Sequence, residues 1–227
     1  MSETESAART TLIRRIGTQR NLFFSLGALL FVSPVLGSAL AFYIVLGFVM
    51  LTGPIAVAHS RVHLTATLAL ALFMVAPGLV SVFIHDYNAA AVSSFFGTLF
   101  FGYLAVLVTR RLLVGADVVD GETLWAAVNV YLAIGLAFAF LYSGVDTFNS
   151  DAFVGHFIDG SQRTQMEGFV YFSFVTLTTL GYGDITPNNT LMATFVFVEA
   201  TFGQLYVAIM IARLVSLYGM KPRGGSD

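Results

Sequence analysis

Thr176–Pro187 reads TLTTLGYGDITP, and this stretch decides how the rest of the chain must be arranged. Upstream of its glycines, Met166 to Thr178 is apolar and aromatic, with small hydroxyls interspersed. That run is about 13 residues, whereas a helix that crosses a bilayer needs about 20. It predicts a re-entrant helix that stops partway through the membrane. Irregular backbone at that depth survives only when it is buried in protein or lines an aqueous path. Thr179-Leu180-Gly181-Tyr182-Gly183 must therefore face something other than lipid.

Composition agrees with a bilayer as the solvent. The chain has 227 residues, of which 57% are hydrophobic and 11% charged, and its mean hydropathy is +0.82. Soluble domains carry about a quarter charged residues, so this chain has too few to cover a water-facing surface. The absence of cysteine excludes a disulfide scaffold. A net charge of −2, with no basic run longer than Arg14-Arg15 or Arg110-Arg111, excludes a nucleic-acid partner. The length leaves room for about six spanning helices.

The charges divide the chain accordingly. Residues 1–20 form a polar segment containing Arg9, Arg14, Arg15 and Arg20, read as a retained anchor because no cleavage-site pattern follows. Residues 7–16 are either a basic helix on the inner leaflet or an unstructured tail. The uncharged run from Asn21 to Ala58 is twice too long for one span. It is broken at Ser33-Pro34 and Gly37-Ser38 and ends at Gly53-Pro54, which predicts a hairpin of helices at 21–36 and 39–57. Further spans are expected at 62–84, 90–109, 122–142 and 190–216. Residues 21–109 thus make a four-helix domain, 110–121 a connector along the inner surface, 122–217 a second domain that holds the re-entrant stretch and 218–227 a short cytoplasmic tail. With the N-terminus inside, Arg61, Arg110, Arg111, Arg213, Lys221 and Arg223 also fall inside, and only Arg163 falls outside. Asp86, Asp146, Asp151, Asp159, Glu167 and Asp184 all fall outside.

With its short helix before and its span after, TLGYGD resembles the selectivity-filter signature of the potassium-channel family, usually written TVGYG. The resemblance is strong over 122–217 and rests on helix count alone over the leading helices. It implies an all-α membrane protein with six transmembrane helices, a re-entrant pore helix and filter between the fifth and sixth, and a homotetrameric pore. A dehydrated K⁺ needs a shell of oxygens, and successive carbonyls supply it only if they all turn toward one axis. That requires alternating left- and right-handed backbone, which Gly181 and Gly183 adopt without a Cβ penalty. By resemblance, the ligands for K⁺ are the carbonyls of Thr179, Leu180, Gly181 and Tyr182 and the Thr179 hydroxyl, with Gly183 closing the motif. Leu180 replaces the commoner valine, but the ligand there is a main-chain oxygen. Tyr182 is expected to pack behind the filter. Thr178 and Asp184 are read as support at its base and outer mouth.

The chain departs from the family in places. Val175 stands where some members carry a glutamate that pairs with the aspartate after the motif, so that carboxyl pair is missing. Tyr171 and Phe172 occupy the place of a common aromatic pair, and Tyr171 can either bond toward Tyr182 of a neighbouring subunit or simply pack. Ala90 to Thr109 contains no arginine or lysine, so the fourth helix lacks the charges of a voltage sensor. Glu199, an acid inside a span, either takes a proton and bonds hydroxyls such as Ser173 or Thr176, or meets water near the pore. Gly203 reads as a hinge or a close-packing position, and Gln204 as a cavity-lining residue or a bond to a neighbour. With Glu199, these are the candidate gating residues. His59 and His63 at i, i+4 can chelate a metal, with interfacial anchoring as the plainer reading. His85 and His156 fall outside and could sense pH. Asn188-Asn189-Thr190 fits a glycosylation sequon beside the pore mouth.

The expectation is a channel that conducts K⁺ passively and is not strongly voltage-gated. It would sit in the plasma or inner membrane with both termini cytoplasmic, its partners being lipid and three further copies. No cofactor is expected beyond K⁺ as the permeant ion. A non-selective cation channel, a potassium transporter-related protein and a non-conducting membrane subunit are the alternatives. An enzyme is not expected, because no nucleophile–base set or carboxylate-rich metal cluster falls at membrane depth.

Overall fold

No charge interrupts the chain between Asn21 and Ala58, and the fold turns that run into two helices. In the computed structural model, residues 19–36, 39–57, 60–84, 86–115, 121–155 and 162–219 are described. Helix α1 is Gln19–Leu36 and α2 is Ala39–Val57. Helix α2 runs through Gly53-Pro54 to Val57, as the expected 39–57 helix does. A proline this close to a C-terminus sacrifices only one bond of the helix ladder.

Helix α3 is Arg61–Ile84, α4 is Tyr87–Gly115 and α5 is Gly121–Phe148. Strand β1 (Phe153–Gly155) follows, then α6 (Gln162–Leu177), strand β2 (Ile185–Pro187) and α7 (Thr190–Gly219). Four segments, Arg61–Ile84, Tyr87–Leu113, Gly121–Phe148 and Thr190–Ser216, are long and apolar enough to cross a membrane. The architecture is that of an all-helical membrane protein.

Two boundaries differ from expectation. Helix α4 continues through Arg110 and Arg111, residues expected in a surface connector, to Gly115. Its last carbonyls find donors: Arg213 on α7 gives its guanidinium to Leu112 O at 2.7 Å and Leu113 O at 2.9 Å. Orphan carbonyls at a helix end need such partners. Helix α5 runs on to Phe148, past the expected end at 142. The 7–16 segment, Arg9, Arg14, Arg15, His59, His85, His156, Asp159, Lys221, Arg223 and the connector residues 116–120 lie outside the described residues.

Helix α5 is the spine. It packs against α4 and α1 on one side and α6 on the other, while α7 lies against α6 and β2. Lipid tails are as apolar as leucine, so burial alone does not hold membrane helices together; close packing and hydrogen bonds do. Both are visible here. A Cβ at Gly97 would come within 2.3 Å of the Phe140 ring, and one at Gly135 within 2.7 Å of Phe174. These glycines let α4 and α6 lie flush on α5. At one end of the bundle, the Gln19 amide donates to Glu122 Oε2 at 2.7 Å and Asn129 Nδ2 donates to Gln19 O at 2.7 Å. There too, Gln19 Nε2 and Arg111 Nη1 both donate to Ala56 O at 3.2 Å. The clasp joins the start of α1, the ends of α2 and α4, and the start of α5.

Candidate pore and filter

Helix α6 ends at Leu177 because, after Thr178, the amides leave the i→i−4 ladder and converge on the carbonyls of its last turn. Thr178 N donates to Phe174 O (3.0 Å), Thr179 N to Thr176 O (2.9 Å) and Leu180 N to Val175 O (2.9 Å). Gly181 N reaches the same Val175 oxygen at 3.3 Å. In a trans peptide the N–H and C=O point in opposite directions. Amides of Leu180 and Gly181 aimed at α6 therefore aim the carbonyls of Thr179 and Leu180 away from it.

The backbone alternates as the motif requires. Positive φ occurs at Thr179 (59°), Gly181 (57°) and Gly183 (77°), with Leu180 and Tyr182 between them on the ordinary side. A Cβ at Gly181 or Gly183 would meet nothing within 4 Å. Glycine is needed there for the sign of φ, not for space. Thr179 is a β-branched residue in the left-handed region, an uncommon placement. Its hydroxyl accepts a bond from Gln204 Nε2 on α7 at 3.1 Å, and this side-chain contact sits at the base of the filter stretch. The Thr178 hydroxyl instead turns onto Phe174 O at 2.7 Å, within α6.

The outer end of the stretch is tied down by pieces that sequence reasoning missed. Strands β1 and β2 pair antiparallel, with Phe153 opposite Pro187, Val154 opposite Thr186 and Gly155 opposite Ile185. A Cβ at Gly155 would fall 2.6 Å from Asp184 O. Asn188, of the possible sequon, donates its amide N–H to Ala152 O and its side chain to Asp151 O. Asn189 caps α7 by accepting from Met192 N at 2.9 Å. Phe153 packs on Phe169, Phe172 and Tyr142. The short apolar Ala152-Phe153-Val154-Gly155 run was the available signal, too short to stand out from the polar stretch around it.

Asp184 is held within the chain. The Tyr171 hydroxyl donates to its Oδ2 at 2.6 Å, and Ile185 N donates to its Oδ1 at 3.1 Å. Within the chain the Tyr171 hydroxyl goes to Asp184, and its ring packs against the cluster of Tyr142, Phe153, Phe169 and Phe172. Val175, in place of a carboxyl partner, serves through its carbonyl. Leu180 is 55% exposed and Tyr182 66% exposed in the single chain. Among the described residues, the packing behind the filter expected of Tyr182 is not seen.

Glu199 has no exposed surface. Its Oε1 lies 2.5 Å from Ser173 Oγ on α6, and its Oε2 accepts from the Tyr142 hydroxyl on α5 at 2.7 Å. Ser173 was foreseen; Tyr142 was not, and Thr176 shares no hydrogen bond with it. A Cβ at Gly203 would fall 2.3 Å from Leu177 O, so this glycine serves as a close-packing position where α7 crosses the end of α6. The same carbonyl accepts the Tyr131 hydroxyl at 3.2 Å. His63 shares a 2.7 Å hydrogen bond with Tyr103, anchoring α3 on α4, and its proposed partner His59 lies outside the described residues.

Comparison with known proteins adds to this geometry. A family model described as "Ion channel" matches residues 126–219, from α5 to the end of α7. Over 92 residues, 40% of this chain, the sequence is 30% identical to two-pore potassium channel 3 of Arabidopsis thaliana. The chain spans 18% of that protein's length. No solved structure matches.

Proposed function

We propose that the chain is a potassium-selective channel, a reading supported by the ion-channel family match over residues 126–219 and the likeness to a two-pore potassium channel. Four copies surround one axis, each contributing the carbonyls of Thr179, Leu180, Gly181 and Tyr182 and the Thr179 hydroxyl. The observation that carries this is the alternation of φ at 179, 181 and 183, combined with amides of 180 and 181 that are turned into α6. One protomer offers a single strand of oxygens, and an ion needs a ring of them. Four α6 C-termini, each bearing partial negative charge, would favour a cation in the cavity beneath.

Six helices per subunit cross the membrane in this reading. The end that carries the Gln19–Glu122 clasp, Arg111 and Arg213 faces the cytoplasm, since basic residues favour that side. Conduction is passive, and K⁺ is the permeant ion rather than a cofactor. Purified protein in liposomes is expected to take up potassium and rubidium far faster than sodium. Comparable sodium uptake would mean a non-selective cation pore, and no uptake of any cation would mean a non-conducting subunit.

A further inference from the structure

Around Glu199, three oxygen–oxygen contacts hold three helices together. Glu199 Oε2 lies 2.7 Å from the Tyr142 hydroxyl of α5, and Oε1 lies 2.5 Å from Ser173 Oγ of α6. Ser173 Oγ in turn lies 2.7 Å from Gly135 O of α5. Ser173 and Glu199 are both fully buried.

Each of these contacts needs a proton between its oxygens. Tyr142 has one and Ser173 has one. The Gly135 carbonyl, which also sits in the α5 ladder, can only accept, so of the two oxygens in that contact only Ser173 can place a proton between them. The Ser173–Glu199 contact is then left to be filled from the carboxyl side. If Glu199 were a carboxylate, two protons would have to serve three contacts, and one pair of buried lone pairs would face each other without a donor. Two buried oxygens held that close with no proton between them repel each other, and Gly135 O loses its second donor. A carboxylate out of water adds its own penalty unless a cation pairs with it. The groups that face it, Tyr142 and the more distant Tyr131 of α5 and Ser173 of α6, are neutral hydroxyls.

We propose that Glu199 carries a proton in the folded channel. Its carboxylic acid donates to Ser173 and completes a chain from Tyr142 through Glu199 and Ser173 to Gly135. The acid is then a neutral latch that fastens the inner helix α7 to α5 and α6, one turn before the Gly203 crossing. This inference does not depend on which ion the pore selects.

Infrared spectroscopy of the reconstituted full chain at neutral pH tests it. The expected result is a carboxylic-acid C=O band that moves down on D₂O exchange and is missing in Glu199→Gln. If Glu199→Gln instead removes a carboxylate band, the proposal fails. Ser173→Ala gives an independent reading: the acid band should persist but move to higher frequency, because its acceptor is gone. An unmoved band would overturn the chain as drawn. Thermal unfolding adds a third arm. Glutamine keeps one donor and one acceptor without charge, so Glu199→Gln should keep its apparent midpoint within about 2 °C of the parent, while Glu199→Ala falls by about 5 °C or more. Equal losses in the two variants would show that charge, not a neutral hydrogen-bonding latch, is what the site requires.

Discussion

In the leading helices, buried hydroxyls find partners inside the same bundle. Thr67 bonds His63 O, Ser81 bonds Gly78 O, and Ser93 reaches across to Met74 O, each at 2.7–2.8 Å. In the filter stretch the opposite holds. The amides of 178–181 are consumed by α6, while the carbonyls of Thr179 and Leu180 turn outward and the side chains of Leu180 and Tyr182 stand open. Burial varies along the helices too: half of the most apolar stretch of α4 and of α5 is buried within the chain, against 28% in α3 and 17% in α7. One half of the molecule completes itself. The other leaves the carbonyls of Thr179 and Leu180 and the side chains of Leu180 and Tyr182 open.

Breaking that contrast at the filter should have the largest effect. In Gly181→Ala an L-residue must hold φ near 57°, at a cost of about 1–2 kcal/mol in each chain. Rubidium uptake into liposomes should be lost while the protein remains folded. Retained selective uptake would mean that the left-handed turn at 181 does not build the ion path.

Next in size is Gly203→Ala. The new methyl would meet Leu177 O at 2.3 Å, and overpacking of this kind costs about 1–3 kcal/mol. The apparent melting temperature should fall by several degrees. Gly47→Ala in α2, where a Cβ meets nothing within 4 Å, should stay within about 0.5 kcal/mol of the parent. Equal effects from the two would erase the distinction between a crossing point and an open helix face.

Arg213→Gln sharpens the comparison at the place where the two halves meet. It removes the donors that α7 gives to Leu112 O and Leu113 O, a loss of about 1 kcal/mol because the site is partly exposed. Amide hydrogen exchange should speed up at the C-terminal end of α4 and leave α6 unchanged. Acceleration in α6 instead would show that the contact supports the filter and not the end of α4.

The smallest effect concerns voltage. Each elementary charge moved through the field is worth about 2.3 kcal/mol per 100 mV, and Ala90 to Thr109 of α4 offers none. Open probability in single-channel recordings should vary by less than about one charge's worth. A slope worth several charges would place a voltage sensor somewhere other than α4.

Much of this arrangement was legible in the residues. The hairpin at 21–57, the short helix before the glycines and the span from 190 follow from apolar runs measured against bilayer thickness, and α1, α2, α6 and α7 lie where that measure put them. Where helices end was less legible. Helix α4 continues through Arg110-Arg111 because a side chain about a hundred residues away caps it, and no local pattern announces such a cap. The partner of Tyr171 was hidden for a similar reason: Asp184 comes within reach only after the chain has turned through the filter and been pinned by β1 and β2.

By itself, the sequence determined that the protein lives in a bilayer and that Thr179–Gly183 must turn its backbone toward something polar. Hydrophobic length and the glycine preference for positive φ are local properties, readable one segment at a time. Only the tertiary structure decided that Glu199 meets Tyr142 and Ser173, that Gly203 rests on Leu177 O and that Arg213 caps α4. Those contacts join residues far apart in the chain, and their existence depends on how whole helices cross.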